Sequence, residues 1–115
     1  MLKTYLSFSI FPFMREYKFK RGYKPTKERL EQMIVKYFGE FKKEGDVYIV
    51  KYGAIEELRL WLKDKKLYAQ SKTNPHVPED VAIKTIKTYN KFLEELTGYS
   101  AKERQKQLRR EVEQL

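Results

Sequence analysis

The chain contains no cysteine, and His76 is the one histidine among its 115 residues. The absence of cysteine excludes disulfide bonds, thiolate nucleophiles, and zinc or iron–sulfur centres held by cysteine. A single imidazole also does not make the ligand set of a clustered transition-metal site. We therefore expect no metal site and no small-molecule cofactor.

Long apolar runs and glycine-rich loops are missing as well. No stretch approaches the roughly 20 apolar residues that span a bilayer. The five glycines are isolated from one another, so no phosphate-binding glycine loop is present. His76 lies in a loop between Pro75 and Pro78, and no acidic residue is close in sequence before Glu79, which disfavours acid–base catalysis. The sequence predicts a cytoplasmic binding protein that is neither an enzyme nor attached to a membrane.

Charge is abundant and mostly of one sign. Lysine and arginine number 25 against 16 acidic residues, which gives a formal net charge of +9. Such a field favours encounter with DNA, RNA or an acidic protein, although a basic surface also serves solubility, and both interpretations stay open. Hydrophobic residues at 41% suffice for the core of one domain. Many lysines and glutamates, with only two asparagines, are typical of proteins from hot habitats.

The chain divides into three parts. Residues 1–13 are rich in apolar side chains and form a poor signal peptide. They are either an over-extended start, with translation beginning at Met14, or an arm that adds an edge strand or packs on a partner. Residues 14–99 are expected to form the domain, and residues 100–115 a charged C-terminal helix.

Strand and helix patterns follow one another from Glu16. Residues 16–21 alternate polar and apolar side chains, which predicts a first strand. Thr26 is placed to cap a helix that ends at Gly39. The apolar face of that helix follows i, i+3, i+4 spacing: Leu30, Met33, Ile34, Tyr37 and Phe38.

The middle of the chain predicts four strands joined by tight turns. They are Phe41–Lys43, Val47–Tyr52, Ile55–Lys63 and Lys66–Thr73. In the third of them, alternation turns the leucines toward the core and Trp61 outward with the charged residues.

Two helices close the chain. The first is expected from Glu79 to Gly98, with an apolar stripe made of Ala82, Ile86, Tyr89, Leu93 and Leu96, flanked by Ile83 and Phe92. The last helix begins with the capping box of Ser100 and Glu103. Its few apolar residues are Leu108, Val112 and Leu115.

The order β-α-β-β-β-β-α plus a C-terminal helix predicts an α+β fold, a curved antiparallel sheet with helices on one face. It resembles one half of the TATA-binding protein fold. The segments Arg15–Gly22, Lys51–Ala54 and Phe92–Arg104 resemble a small archaeal protein family of unknown function. That resemblance implies a TATA-binding-protein-like fold and supplies no catalytic residues.

The sheet face opposite the helices is the candidate site. Its predicted members are Lys18, Lys20, Arg59, Trp61, Lys63, Lys66, Tyr68 and Lys72. Aromatic rings stack on bases while cations neutralise phosphates, so the pattern predicts nucleic-acid binding with low sequence specificity. The alternative is that Trp61 and Tyr68 form a cross-strand pair, or an interface in a homodimer or accessory protein module.

A second candidate joins the basic segment Arg15–Lys24 to cations of the last helix. Those cations are Lys102, Arg104, Lys106, Arg109 and Arg110. Interspersed glutamates favour a solvated helix face with local ion pairs.

Overall fold

The computed structural model describes residues 13–113, with side chains for residues 15–107. The elements are β1 (Phe13–Lys18), α1 (Lys27–Phe38), β2 (Lys42–Glu44), β3 (Val47–Tyr52), β4 (Ile55–Lys63), β5 (Lys66–Thr73), α2 (Glu79–Thr97) and α3 (Ala101–Glu113). This confirms the predicted order of elements. Residues 1–12 and the apolar side chains near the C-terminus lie outside the described part, and so do the predictions made for them.

The five strands form one antiparallel sheet in the order β1-β5-β4-β3-β2, which confirms the α+β class. The predicted bounds of the first strand, Glu16 to Arg21, were wrong at both ends, because β1 runs from Phe13 to Lys18. The Lys20 amide donates to the Thr97 carbonyl, 2.7 Å away, at the end of α2. Lys66, which is opposite Lys18, is the first residue of β5, so no strand residue lies opposite Lys20 and its amide bonds to the helix end.

Helices α1 and α2 pack on the same side of the sheet. One buried cluster joins these helices to the sheet. Its members include Leu30 and Ile34 of α1, Leu58 and Leu60 of β4, and Phe92 of α2. The predicted ends of α1 are confirmed. The Thr26 hydroxyl accepts from the Arg29 amide at 3.3 Å, and Gly39 ends the helix with φ 94°.

The predicted apolar stripe of α2 was wrong at Ile86 and at its flanking residue Ile83, whereas Ala82 is half-buried. Ile83 and Ile86 are 45% and 61% exposed, whereas Thr85 is buried. The Thr85 hydroxyl accepts from the Ala54 amide at 2.9 Å and donates to the Val81 carbonyl at 2.7 Å. The helix therefore turns a small polar side chain toward the β3–β4 turn, where a branched apolar residue would not satisfy the amide.

The start of α3 is fixed to the rest of the domain. Ser100 and Glu103 form the predicted capping box, with bonds of 2.9 and 3.2 Å. The Arg104 guanidinium donates to the Tyr99 carbonyl at 2.6 Å and to Asn90 Oδ1 at 2.9 Å. Desolvation lowers the pKa of Arg104, as expected for a half-buried cation.

No helix in the described part of the chain is both long enough and apolar enough to cross a membrane.

Candidate functional site

The outer face is the side of the sheet opposite α1 and α2. Leu58 and Leu60 are fully buried on the inner side, while Arg59 and Trp61, which alternate with them along the strand, are half-buried on the outer face. The predicted phase of β4 is confirmed, because side chains alternate between faces along a strand. The indole therefore lies outside the domain's own core.

Two aromatic side chains occupy the middle of the outer face. Trp61 and Tyr68 are direct partners in the β4–β5 register. Their ring centroids are 5.7 Å apart and their planes differ by 10°, which makes a stacked pair. The cross-strand pair, which was the alternative interpretation of Trp61 and Tyr68, is confirmed. We call these two residues the aromatic pair.

Three lysines lie side by side next to the aromatic pair. Lys18 of β1 is opposite Lys66 of β5, which is in turn opposite Lys63 of β4. We call these residues the lysine row. Like charges directly opposite one another on a sheet are destabilising, so the row creates a local demand for negative charge.

The carboxylate of Glu16 answers part of that demand. Glu16 Oε1 accepts from the Tyr68 hydroxyl at 2.8 Å and lies 3.3 Å from Lys66 Nζ. The hydrogen bond from Tyr68, followed by the bond and charge of Lys66, lowers the pKa of Glu16. The same contact raises the pKa of Tyr68. Lys63 is exposed and has no ion pair with the residues that the structure describes.

Arg59 lies on the other side of the aromatic pair. Its Nε is 2.6 Å from Glu57 Oε2, and its strand neighbours are Ile49 and Gln70. Lys72 lies further along β5, opposite Glu57 and 3.8 Å from a carboxylate oxygen of Glu56. These two cations are thus partly balanced by carboxylates close to them.

Lys20 is the one predicted member that the structure does not bring to the outer face. Its Nζ lies 5.9 Å from the centre of the Tyr99 ring, and its amide is bonded at the end of α2. The other seven predicted residues share the outer face or its margin. The sequence analysis did not predict Glu16 as a member of this face. Its contacts with Tyr68 and Lys66 depend on the pairing of β1 with β5, and the paired residues Lys18 and Lys66 are more than 45 positions apart in the sequence.

Hydrogen bonds of Ser100, together with the charges of Lys20 and Lys106, lower the pKa of Glu103, so the described part of the second candidate comes together at the start of α3. Arg104 is engaged by the carbonyl and amide oxygens of its neighbours, whereas Lys102 and Lys106 are exposed. Arg109 and Arg110 lie beyond the described side chains. The His76 amide donates to Asn74 Oδ1 in an exposed loop. No group of three or more histidine or acidic side chains suited to a metal ion occurs among the described residues.

Comparison with known proteins gives a family without an assigned activity. Residues 14–110 match the model of a domain of unknown function, DUF5611. The NMR solution structure of the hypothetical protein TA0095 from the archaeon Thermoplasma acidophilum is similar, with a TM-score of 0.64 and 29% sequence identity. The match covers 82% of this chain and 96% of that one. No curated protein matches the sequence.

Proposed function

The chain belongs to the DUF5611 family of domains of unknown function, and from its outer face we propose that it binds single-stranded nucleic acid with little sequence specificity. The proposed role is binding and not catalysis. The observation that carries it is the position of the aromatic pair between the lysine row and Arg59. Rings for bases thus lie beside cations for phosphates.

The layout of the outer face favours a single nucleic-acid strand that lies across β4, β5 and β1. Residues two apart along a strand are about 7 Å apart, so the lysine row is one such step from the aromatic pair. A nucleic-acid strand whose phosphates lie along the lysine row then has its bases over the aromatic pair. Stacking on an aromatic side chain contributes about 1–3 kcal/mol per base and accepts every base.

An open sheet face suits a single strand better than a duplex. The bases of a duplex are stacked on one another and do not present their planes to a protein ring, whereas those of a single strand do. The net charge of +9 adds a long-range attraction that is independent of sequence. Sequence-tolerant binding that weakens with salt is the expected behaviour.

Anisotropy of a labelled ten-nucleotide single strand, of DNA or RNA, tests the proposal. We expect Trp61→Ala to weaken binding about 5- to 150-fold, the equivalent of one stacked base. Replacing Arg59 by Ala in the same protein is expected to weaken it further. Lys63→Gln should reduce the slope of log affinity against log salt by about 0.7, the value for one phosphate contact with a single strand.

Lys87→Gln is the matched control, because it removes the same charge from the exposed side of α2. It should leave the salt slope nearly unchanged. Absence of binding at low salt, or equal effects of the two lysine substitutions, would contradict the proposal. A duplex that binds as tightly as the single strand would contradict the choice of ligand.

A protein interface on the same outer face is the second candidate. Ile49 is a half-buried apolar residue beside Arg59, near the aromatic pair, and apolar side chains on an open sheet often pack against another protein. A homodimer through this face predicts a solution mass of twice 14.0 kDa. It also predicts that Trp61, the single tryptophan, is shielded from a soluble quencher. A monomer with freely quenched fluorescence would count against it.

We also propose that the sheet and its first two helices correspond to one half of the TATA-binding protein fold. The element order and the placement of α1 and α2 on one side of the sheet support this correspondence. Superposition should match all five strands and both helices in the same order and direction. A match that needs a different strand order would overturn it.

A further inference from the structure

Glu16 lies where the lysine row meets the aromatic pair. One carboxylate oxygen, Oε1, accepts from the Tyr68 hydroxyl and is the ion-pair partner of Lys66 Nζ. The side chain is partly exposed, and so is that of Lys66. The Glu16 carboxylate therefore already accepts from the Tyr68 hydroxyl and the Lys66 ammonium group, the donors that a ligand on the outer face would meet.

We propose that the Glu16 carboxylate holds, in the free protein, the position of a backbone phosphate, and that a bound single strand displaces it. This inference rests on the proposed function. It assigns regulation of affinity to a residue that the cationic pattern of the sequence does not single out.

The two groups that donate to Glu16, the Tyr68 hydroxyl and the Lys66 ammonium group, are of the kinds that also bind phosphate. A phenolic hydroxyl and an ammonium group donate to a phosphate oxygen as readily as to a carboxylate, and both oxygens are anionic. Glu16 is opposite Tyr68, and Lys18 follows it by two residues on the same face of β1. A phosphate in this place would contact Tyr68 and Lys66 and lie beside Lys18.

Displacement has a cost that weakens binding. The ligand must replace an existing ion pair and then lie near the displaced carboxylate, which repels it. Lys66 is already partly neutralised in the free protein, so binding at that lysine releases less condensed counterion than binding at an unpaired one. Glu16 thereby makes binding both weaker and less dependent on salt.

Glu16→Gln tests this in the anisotropy assay. Glutamine keeps an oxygen that accepts from Tyr68 but carries no charge, so the fold of β1 is preserved while the competition is removed. We expect about three- to tenfold tighter binding of the single strand at low salt. The slope of log affinity against log salt should become steeper by up to about 0.7.

Glu94→Gln is the matched control, since it makes the same charge change on the exposed side of α2, behind the sheet. It should change affinity much less than Glu16→Gln. Thermal unfolding followed by circular dichroism should show that both variants are folded.

A second measurement follows the carboxyl group itself. Carbon-13 NMR titration of the Glu16 side chain should show its lowered pKa in the free protein. Addition of the oligonucleotide should raise that pKa, because the carboxylate loses the Tyr68 hydrogen bond and gains a phosphate neighbour. A residue with a purely structural role would keep its pKa.

The outcomes separate the inference from the proposed function. If neither the unmodified protein nor Glu16→Gln binds the single strand, the proposed function is overturned and the inference with it. If both bind but Glu16→Gln behaves like Glu94→Gln, only the inference is overturned. Weaker binding by Glu16→Gln would also overturn it, because Glu16 would then assist the ligand.

Discussion

Asp64 and Lys65 are the non-glycine residues with left-handed backbone in the described part of the chain. Both have positive φ, 53° and 63°, although neither is glycine. They form the two-residue connection between β4 and β5, a turn that needs left-handed backbone at both positions. That turn sets Lys63 opposite Lys66, and hence Trp61 opposite Tyr68. The aromatic pair thus depends on a backbone conformation that disfavours L residues.

Lys65→Gly is expected to stabilise the protein by about 0.5–1 kcal/mol. Left-handed backbone costs an L residue about 1–2 kcal/mol, and glycine avoids most of this while losing some unfolded-state entropy. Urea unfolding at neutral pH measures the gain. Lys65→Ala is the control, because it removes the charge but keeps the Cβ, so it should bring no comparable gain. Equal stability of the two variants would contradict the explanation.

Helix α2 is joined to the β3–β4 turn by the buried side chain of Thr85. The Thr85 hydroxyl bridges the Ala54 amide and its own helix. Gly53 lies so close that an added Cβ would be 2.1 Å from Thr85 Oγ1. The turn and the helix therefore constrain each other, and the apolar residues Ile83 and Ile86 are turned to the outside.

Thr85→Val should destabilise the protein by about 1–3 kcal/mol, because the Ala54 amide would be buried without an acceptor. Equilibrium unfolding in urea measures the change. Thr85→Ser keeps the hydroxyl and loses one methyl group, so it should cost about 1 kcal/mol or less. The reverse ranking of the two variants would show that the methyl contact matters more than the hydrogen bond.

Three tyrosines connect the helices and the sheet and resist ionisation. A hydrogen bond to Glu95 raises the pKa of Tyr37 to about 12. Burial, together with a hydrogen bond to Glu31, raises the pKa of Tyr48 to about 12. Burial also raises the pKa of Tyr89 well above its usual value. The folded chain thus binds protons that the unfolded chain has released above about pH 10.

The free energy of unfolding should therefore fall as pH rises from about 10 to 12. In this window the folded state binds more protons than the unfolded state, so the stability present below pH 10 is lost as the phenols ionise. Urea midpoints across this range, with tyrosinate absorbance, measure the effect. Tyr37→Phe should flatten the fall. Ionisation of all nine tyrosines near pH 10 in the folded protein would contradict it.

Local sequence patterns predicted the order of the elements and the phase of the central strands. Alternating leucines in Ile55–Lys63 and the capping residues Thr26 and Ser100 act through neighbours a few residues away, so local patterns sufficed. The predicted exposure of Trp61 on the side away from the leucines followed from the same alternation.

Contacts between residues far apart in the sequence could not be predicted from local patterns and became clear from the folded chain. The rotation of α2 toward Thr85, the departure of Lys20 to the end of that helix, and the contact of Glu16 with Lys66 each depend on contacts between distant segments. Local apolar periodicity treats every isoleucine as a core residue, whereas a buried amide at a turn selects a hydroxyl instead. A pattern of cations likewise cannot show which carboxylate a distant strand brings among them, because pairing of β1 with β5 is a property of the folded sheet.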